Sequence, residues 1–268
     1  MPDPAVPDDR PAWLRQQPGP AEERPGPPAE QGGSKGGRAM PVVTWTILGV
    51  NLVLVVVEAV LSGSRTGILD PSNQALCRLG ALNSAAIAES GQWWRLFTAM
   101  VLHGGIIHFA VNSWALWIFG PVLERTLGRV RFTLLYLISG FVASAFSFAF
   151  KNPVLSVGAS GAIFGLLGAL IAFFWRRRAV AGSRAQLQSL IVVLVLNLII
   201  GFRIPGVDYM AHIGGLIGGF TTMLLVDLAA RRRDLEALAM AAPVAVAIGL
   251  VAWGVQAFPG GTSCVGIG

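Results

Sequence analysis

Residues 209–229 read YMAHIGGLIGGFTTMLLVDLA. The stretch has no proline and is apolar for nearly its whole length. At 1.5 Å of rise per residue it matches the ~30 Å hydrocarbon core of a bilayer, so it reads as a transmembrane helix. Two features inside it set it apart from a plain anchor. Gly215 and Gly219 follow His212 at i+3 and i+7 and share its face, while Gly214 and Gly218 form a second row beside it. Small residues at this spacing let membrane helices approach closely. The imidazole is costly in a span, which makes it a candidate functional group.

Outward from this helix the same pattern recurs. Apolar runs predict further spans at 42–62, 105–121, 131–150, 158–175, 187–202 and 238–258. The fold class is therefore all-α, a polytopic membrane protein of seven helices. Composition agrees: 54% of residues are hydrophobic and 13% charged, against about 25% charged in soluble domains. The net charge of +6 does not mark a nucleic-acid binder, because the arginines sit at the ends of apolar runs, where they signal topology. With the N-terminus in the cytoplasm, the inside segments carry Lys35 and Arg38; Arg125, Arg129 and Arg131; Arg176, Arg177, Arg178 and Arg184; and Arg231, Arg232 and Arg233. The short outside loops carry only Lys151 and Arg203, and the long first outside loop, 63–104, holds Arg65, Arg78 and Arg95. The C-terminus is then outside and the cell membrane is the expected location. Of the 20 basic residues all but Lys35 and Lys151 are arginine, a bias typical of GC-rich bacterial genomes.

Residues 1–39 differ from the rest, with nine of the 16 prolines, mixed charges and few aliphatics. Such a segment cannot bury a core and is expected to be a disordered cytoplasmic tail. It has no apolar stretch of the kind a cleavable signal requires. Residues 40–230 form the expected six-helix core, and 231–268 an additional helix with a short outer tail.

Three histidines, His103, His108 and His212, all fall near the outer ends of predicted spans. Ser160, in Gly158-Ala159-Ser160-Gly161, has a similar depth on the fourth span. A serine becomes a nucleophile when a base such as histidine takes its proton. Alone, this small-residue pattern is explained by helix packing. Gly161, Gly165 and Gly168 line one stripe of the fourth span and would admit the glycine face of the sixth, bringing Ser160 and His212 within reach. His108 and Asn112 stand at i and i+4 on one face. Both can donate hydrogen bonds, as a developing oxyanion requires, and the backbone N–H of Ser160 would join them. For Asn112 an interhelical structural bond remains an equal reading.

These residues resemble a known family, the rhomboid intramembrane serine proteases. The resemblance covers roughly 42–230. It rests on Gly91-Gln92-Trp93-Trp94-Arg95, His103-x4-His108-x3-Asn112, Gly120-x3-Glu124-x3-Gly128, Gly158-Ala159-Ser160-Gly161 and Ala211-His212-Ile213-Gly214-Gly215. It implies a Ser–His dyad without an acidic third member, Ser160 as nucleophile and His212 as base, with His108 and Asn112 as oxyanion donors. Trp94 and Arg95 resemble the structural pair of the family's first loop, and Glu124 with Arg125 its motif at the inner end of the second span. Phe164 stands where relatives often place a tyrosine packed on the histidine. His103, Gly158, Gly161 and Gly215 would shape the site. The seventh helix resembles the family's six-plus-one arrangement. Implied partners are transmembrane protein substrates in a lipid bilayer, with no metal and no cofactor; nothing in the pattern sets an oligomeric state. A transporter using His108, Asn112 and His212, or a rhomboid-like chaperone without catalysis, are the competing readings.

Cys77, in the first outside loop, and Cys264, after the last span, both face an exterior where disulfides form. One reading is a bridge tying the tail of the last span to the first loop; pairing depends on geometry that sequence does not carry, so two free thiols are the default expectation.

Overall fold

The computed structural model describes residues 40–63, 66–150, 155–230, 232–261 and Cys264. The tail 1–39 lies outside the described residues, as do Arg65, Lys151 and Arg231 of the charge argument. In chain order the helices are α1 (Val42–Leu61), α2 (Asn73–Leu79), α3 (Ser84–Ala88), α4 (Arg95–Thr98), α5 (Ile106–Leu127), α6 (Arg129–Ala149), α7 (Ser160–Arg176), α8 (Ser183–Arg203), α9 (Tyr209–Ala229) and α10 (Arg233–Gln256). A 3₁₀ turn, Ala99–Val101, follows α4.

Six of these, α1, α5, α6, α8, α9 and α10, are long and apolar enough to cross a membrane. Seven were expected. The remaining one, α7, is apolar but only 17 residues long. Its expected start at 158 is held out of the helix: Gly158 has φ 131° and its N–H donates to the Ala99 carbonyl at 2.8 Å, just after Ser156 bridges to Leu82. Helix begins only at Ser160.

Other boundaries move for identifiable reasons. The second span was expected to stop at 121. Instead α5 runs through it to Leu127. Its last turn is held from outside, since Glu124 accepts the Val43 and Thr44 N–H groups and the Thr44 hydroxyl at 2.9, 2.8 and 2.8 Å. The last span starts at 233 rather than 238. Asp234 and Glu236 lie in its first turn, where acidic groups favour the helix dipole, and Glu236 pairs with Arg131 of α6.

The core is built on α6, α7 and α9, and most of α6 and α7 is buried. The two glycine rows of α9 face different neighbours. A Cβ on Gly215 or Gly219 would collide with the carbonyl of Gly161 or Gly165 on α7. One on Gly214 or Gly218 would strike Phe146 or Val142 of α6. In lipid, where apolar burial gives helices no reason to associate, such backbone proximity supplies the packing energy. α10 joins this core, with Ala247 and Val251 in one cluster with Phe148, and Gly254 backed against Phe148. α8 is peripheral, its buried positions being Ser183 and Leu190.

The first loop, expected as a loop, is a folded unit containing α2, α3, α4 and the 3₁₀ turn. Ser72 and Asn83 cap α2 and α3 by accepting the Ala75 and Ala86 N–H groups. The buried Arg95 guanidinium donates to the Cys77 and Ala81 carbonyls at 2.9 and 2.8 Å and lies 4.7 Å from the Trp94 ring centroid. The default of two free thiols is corrected here: Cys77 and Cys264 form a disulfide. The physical reason is that α10 returns to the end of the bundle where α2 lies, so the two cysteines are neighbours despite a separation of 187 residues.

Candidate active site

Ser160 is the first residue of α7 and His212 lies in the first turn of α9. The close packing of the two helices puts His212 Nε2 at 2.9 Å from Ser160 Oγ. Both residues are half-buried. The Phe164 ring, one turn along α7, stacks on the imidazole with centroids 4.2 Å apart and planes 10° from parallel. Among the described residues no carboxylate is hydrogen-bonded to the His212 ring. Asp208, one turn before His212, accepts the Ala211 N–H at 2.9 Å as the cap of α9, and its other oxygen takes the Ser147 hydroxyl. The arrangement thus offers a hydroxyl, a base in contact with it, and a ring that fixes the plane of the base.

His108 and Asn112 reach the same place from α5. Gly158 has φ 131° and packs so tightly that a Cβ there would lie 2.8 Å from His108 Cε1, 2.9 Å from its Nε2 and 3.6 Å from Asn112 Nδ2. A side chain at 158 is excluded both by that φ and by those neighbours. The Gly104 N–H donates to His108 Nδ1 at 3.1 Å. An acceptor Nδ1 in neutral imidazole places the ring proton on Nε2, the nitrogen nearer Gly158. Asn112 Nδ2 is buried without a partner, and an orphaned buried donor calls for an explanation. The Ser160 N–H opens a helix, where first-turn amides have no intrahelical acceptor. His108 and Asn112 thus close on Gly158, two residues before the Ser160 N–H. Beside it a cavity of about 20 Å³, bordered by Gly140, Ser144, Ser156 and Gly161, has room for a single water.

The remaining residues named from sequence take supporting positions. His103 is fully buried, its ring edge-on to His108 and Phe109 at 5.4 and 5.5 Å. Burial, reinforced by His108, pulls its pKa down to about 3, so it is neutral at ordinary pH. Gly161 and Gly215 form the contact of α7 with α9. Trp94 is exposed while Arg95 is buried in the first loop, and Glu124 stands at the far end of α5, tying it to α1. Among the described residues no group of three or more His, Cys, Asp or Glu side chains could hold a metal ion.

Comparison with known proteins gives the same direction. The family model of the Rhomboid domain matches residues 90–228, a stretch that includes Trp94, both oxyanion candidates, Ser160 and His212. The chain belongs to the rhomboid family. It is 37% identical over 220 residues to "Rhomboid protease GluP" of Bacillus subtilis (strain 168), which covers 81% of this chain and 41% of that protein. It is 44% identical over 153 residues to "RHOMBOID-like protein 6, mitochondrial" of Arabidopsis thaliana, covering 57% of this chain and 50% of that protein. The Bacillus subtilis relative YdcA is 36% identical over 146 residues, and this rhomboid spans 72% of it. The match to the first two covers half of their length or less.

Two polar residues at this end of the rhomboid were not singled out from sequence. Ser147 holds Asp208 from α6, and Glu58 of α1 accepts the His103 N–H at 2.8 Å. Glu58 carried a readable signal, a carboxylate within a predicted span. Its partner is a backbone amide, which leaves no mark in a sequence.

Proposed function

We propose that this rhomboid is an intramembrane serine endopeptidase that cleaves transmembrane proteins with the dyad Ser160 and His212. The observation that carries this reading is the 2.9 Å contact between Oγ and Nε2, made inside a membrane protein in which the nearby Asn112 Nδ2 is a buried donor without a partner among the described residues. Ser160 Oγ attacks the scissile carbonyl while His212 Nε2 takes its proton. The oxyanion that forms is met by His108 Nε2–H, Asn112 Nδ2–H and the Ser160 N–H. His212 then protonates the leaving amine, and a water activated by the same imidazole hydrolyses the acyl-enzyme. Phe164 keeps the imidazole in plane through this cycle.

The arginine distribution supports an N-terminus in the cytoplasm, with the site near the outer face of the cell membrane. Residues 40–230 act as the protease core, and α10 braces it through Phe148 and through the disulfide to the first loop. Substrates enter as helices and unwind near small residues before cleavage. The test is cleavage of a labelled transmembrane substrate by the purified full chain in liposomes. Wild type yields two fragments, and Ser160→Ala and His212→Ala yield none. Cleavage that persists in either variant refutes the reading, and membrane-protein folding activity that survives Ser160→Ala favours a chaperone.

A further inference from the structure

Glu58 is a buried carboxylate, 1% exposed, within a helix that crosses the membrane. It has no ion-pair partner among the described residues, and Oε2 meets no donor. Among the described residues its side chain accepts one hydrogen bond, from the His103 N–H. A lone acid in this setting opposes insertion and folding, so helix stability does not explain it.

What it holds is a run of backbone amides with different tasks. The His103 N–H goes to Glu58 Oε1 at 2.8 Å. The next amide, Gly104 N–H, goes to His108 Nδ1 at 3.1 Å. Ile106 N–H goes to the Ile68 carbonyl at 2.8 Å, and Gly105 is pressed against the Leu69 carbonyl. The peptide between His103 and Gly104 is thus anchored at its N-terminal side by the hydrogen bond to Glu58 and the buried His103 ring, and at its C-terminal side by the chain after α1. Its orientation decides whether Nδ1 of His108 receives a proton donor.

We propose that Glu58 is a positioning residue for the oxyanion donor His108, acting through the Gly104 amide to keep the ring proton on Nε2. With that amide turned away, Nδ1 is free to carry the proton. Nε2 would then present a lone pair to the developing negative charge, and a stabilising contact would become a repulsive one. A glutamine retains the carbonyl acceptor, whereas leucine and methionine do not. The catalytic part of this proposal rests on the protease reading above, but the link between Glu58 and the ring proton does not.

The experiment uses the full chain in liposomes with ¹⁵N-labelled histidine, where only three imidazoles contribute. Wild type gives a His108 pattern with protonated Nε2 and bare Nδ1. Glu58→Gln keeps it, and Glu58→Leu shifts it toward protonated Nδ1. With a transmembrane substrate, Glu58→Leu lowers kcat by about 10²-fold, the scale of one lost oxyanion donor. KM is unchanged, and Glu58→Gln stays within about threefold of wild type, well inside that scale. If Glu58→Leu does not fold, Glu58→Met removes the acceptor at similar length. A protonated Nδ1 on wild-type His108 overturns the proposal without any variant, as does a folded Glu58→Leu with wild-type kcat. A wild type that cleaves nothing yet gives the expected nitrogen pattern refutes the protease reading and leaves the link between Glu58 and His108 standing.

Discussion

At the scale of single residues, donors and rings around Ser160 have separable contributions. Asn112→Ala removes a buried donor that has no structural partner. It should lower kcat by about 10²–10³-fold with little change in thermal stability, measured on the same purified sample. Phe164→Tyr keeps the stacked ring and stays near wild type, while Phe164→Ala loses about 0.5–1.5 kcal/mol of ring contact, roughly 2–13-fold in kcat/KM. His103 adds a pH dependence. Its folded pKa, about 3, lies below its ordinary value of 6.5. The unfolded chain therefore binds a proton that the folded chain refuses between those values. Stability contributed by His103 is full above about pH 6.5 and declines as pH falls toward 3. Melting temperatures at pH 7 and pH 5 should differ less in His103→Asn than in wild type. Ser160, His212, His108 and Asn112 were legible because polar groups in apolar spans stand out and their spacing sets their faces. Glu58 and Ser147 were not, because one binds a backbone amide and the other a cap residue 61 positions away.

At the scale of elements, the contact of α7 with α9 depends on missing side chains. Gly219→Val places atoms on the Gly165 carbonyl and should cost about 3 kcal/mol or more in unfolding free energy, since neither backbone can retreat. Gly249→Ala on α10 has nothing within 4 Å of its added Cβ and should cost nothing measurable. Equal stability losses for the two would contradict the packing account. The glycine rows could be read from the sequence because their period matches a helix face. The length of α7 could not. Its first two expected residues stay outside the helix because Gly158 has φ 131° and its N–H donates to the Ala99 carbonyl, and no local signal marks that contact. The end of α5 was missed because the restraint that holds its last turn, Glu124 on Thr44, spans 80 residues.

At the scale of the whole molecule, the chain closes on itself. The Cys77–Cys264 bridge joins the first loop to the segment after α10. Mass mapping without reductant should find the two peptides linked, and Cys264→Ser should lower stability by about 2–5 kcal/mol, because a long loop is released in the unfolded chain. A disulfide persists on an oxidising side, which is where the proposed topology would put both cysteines. The account as a whole depends on Ser160 being a nucleophile made reactive by His212. The most direct measurement is the intact mass of the protein after exposure to a fluorophosphonate, which traps an activated serine. One adduct, mapped to Ser160 and absent in His212→Ala, is the predicted result. An unmodified wild type, or labelling of Ser160 that persists undiminished without His212, would contradict it.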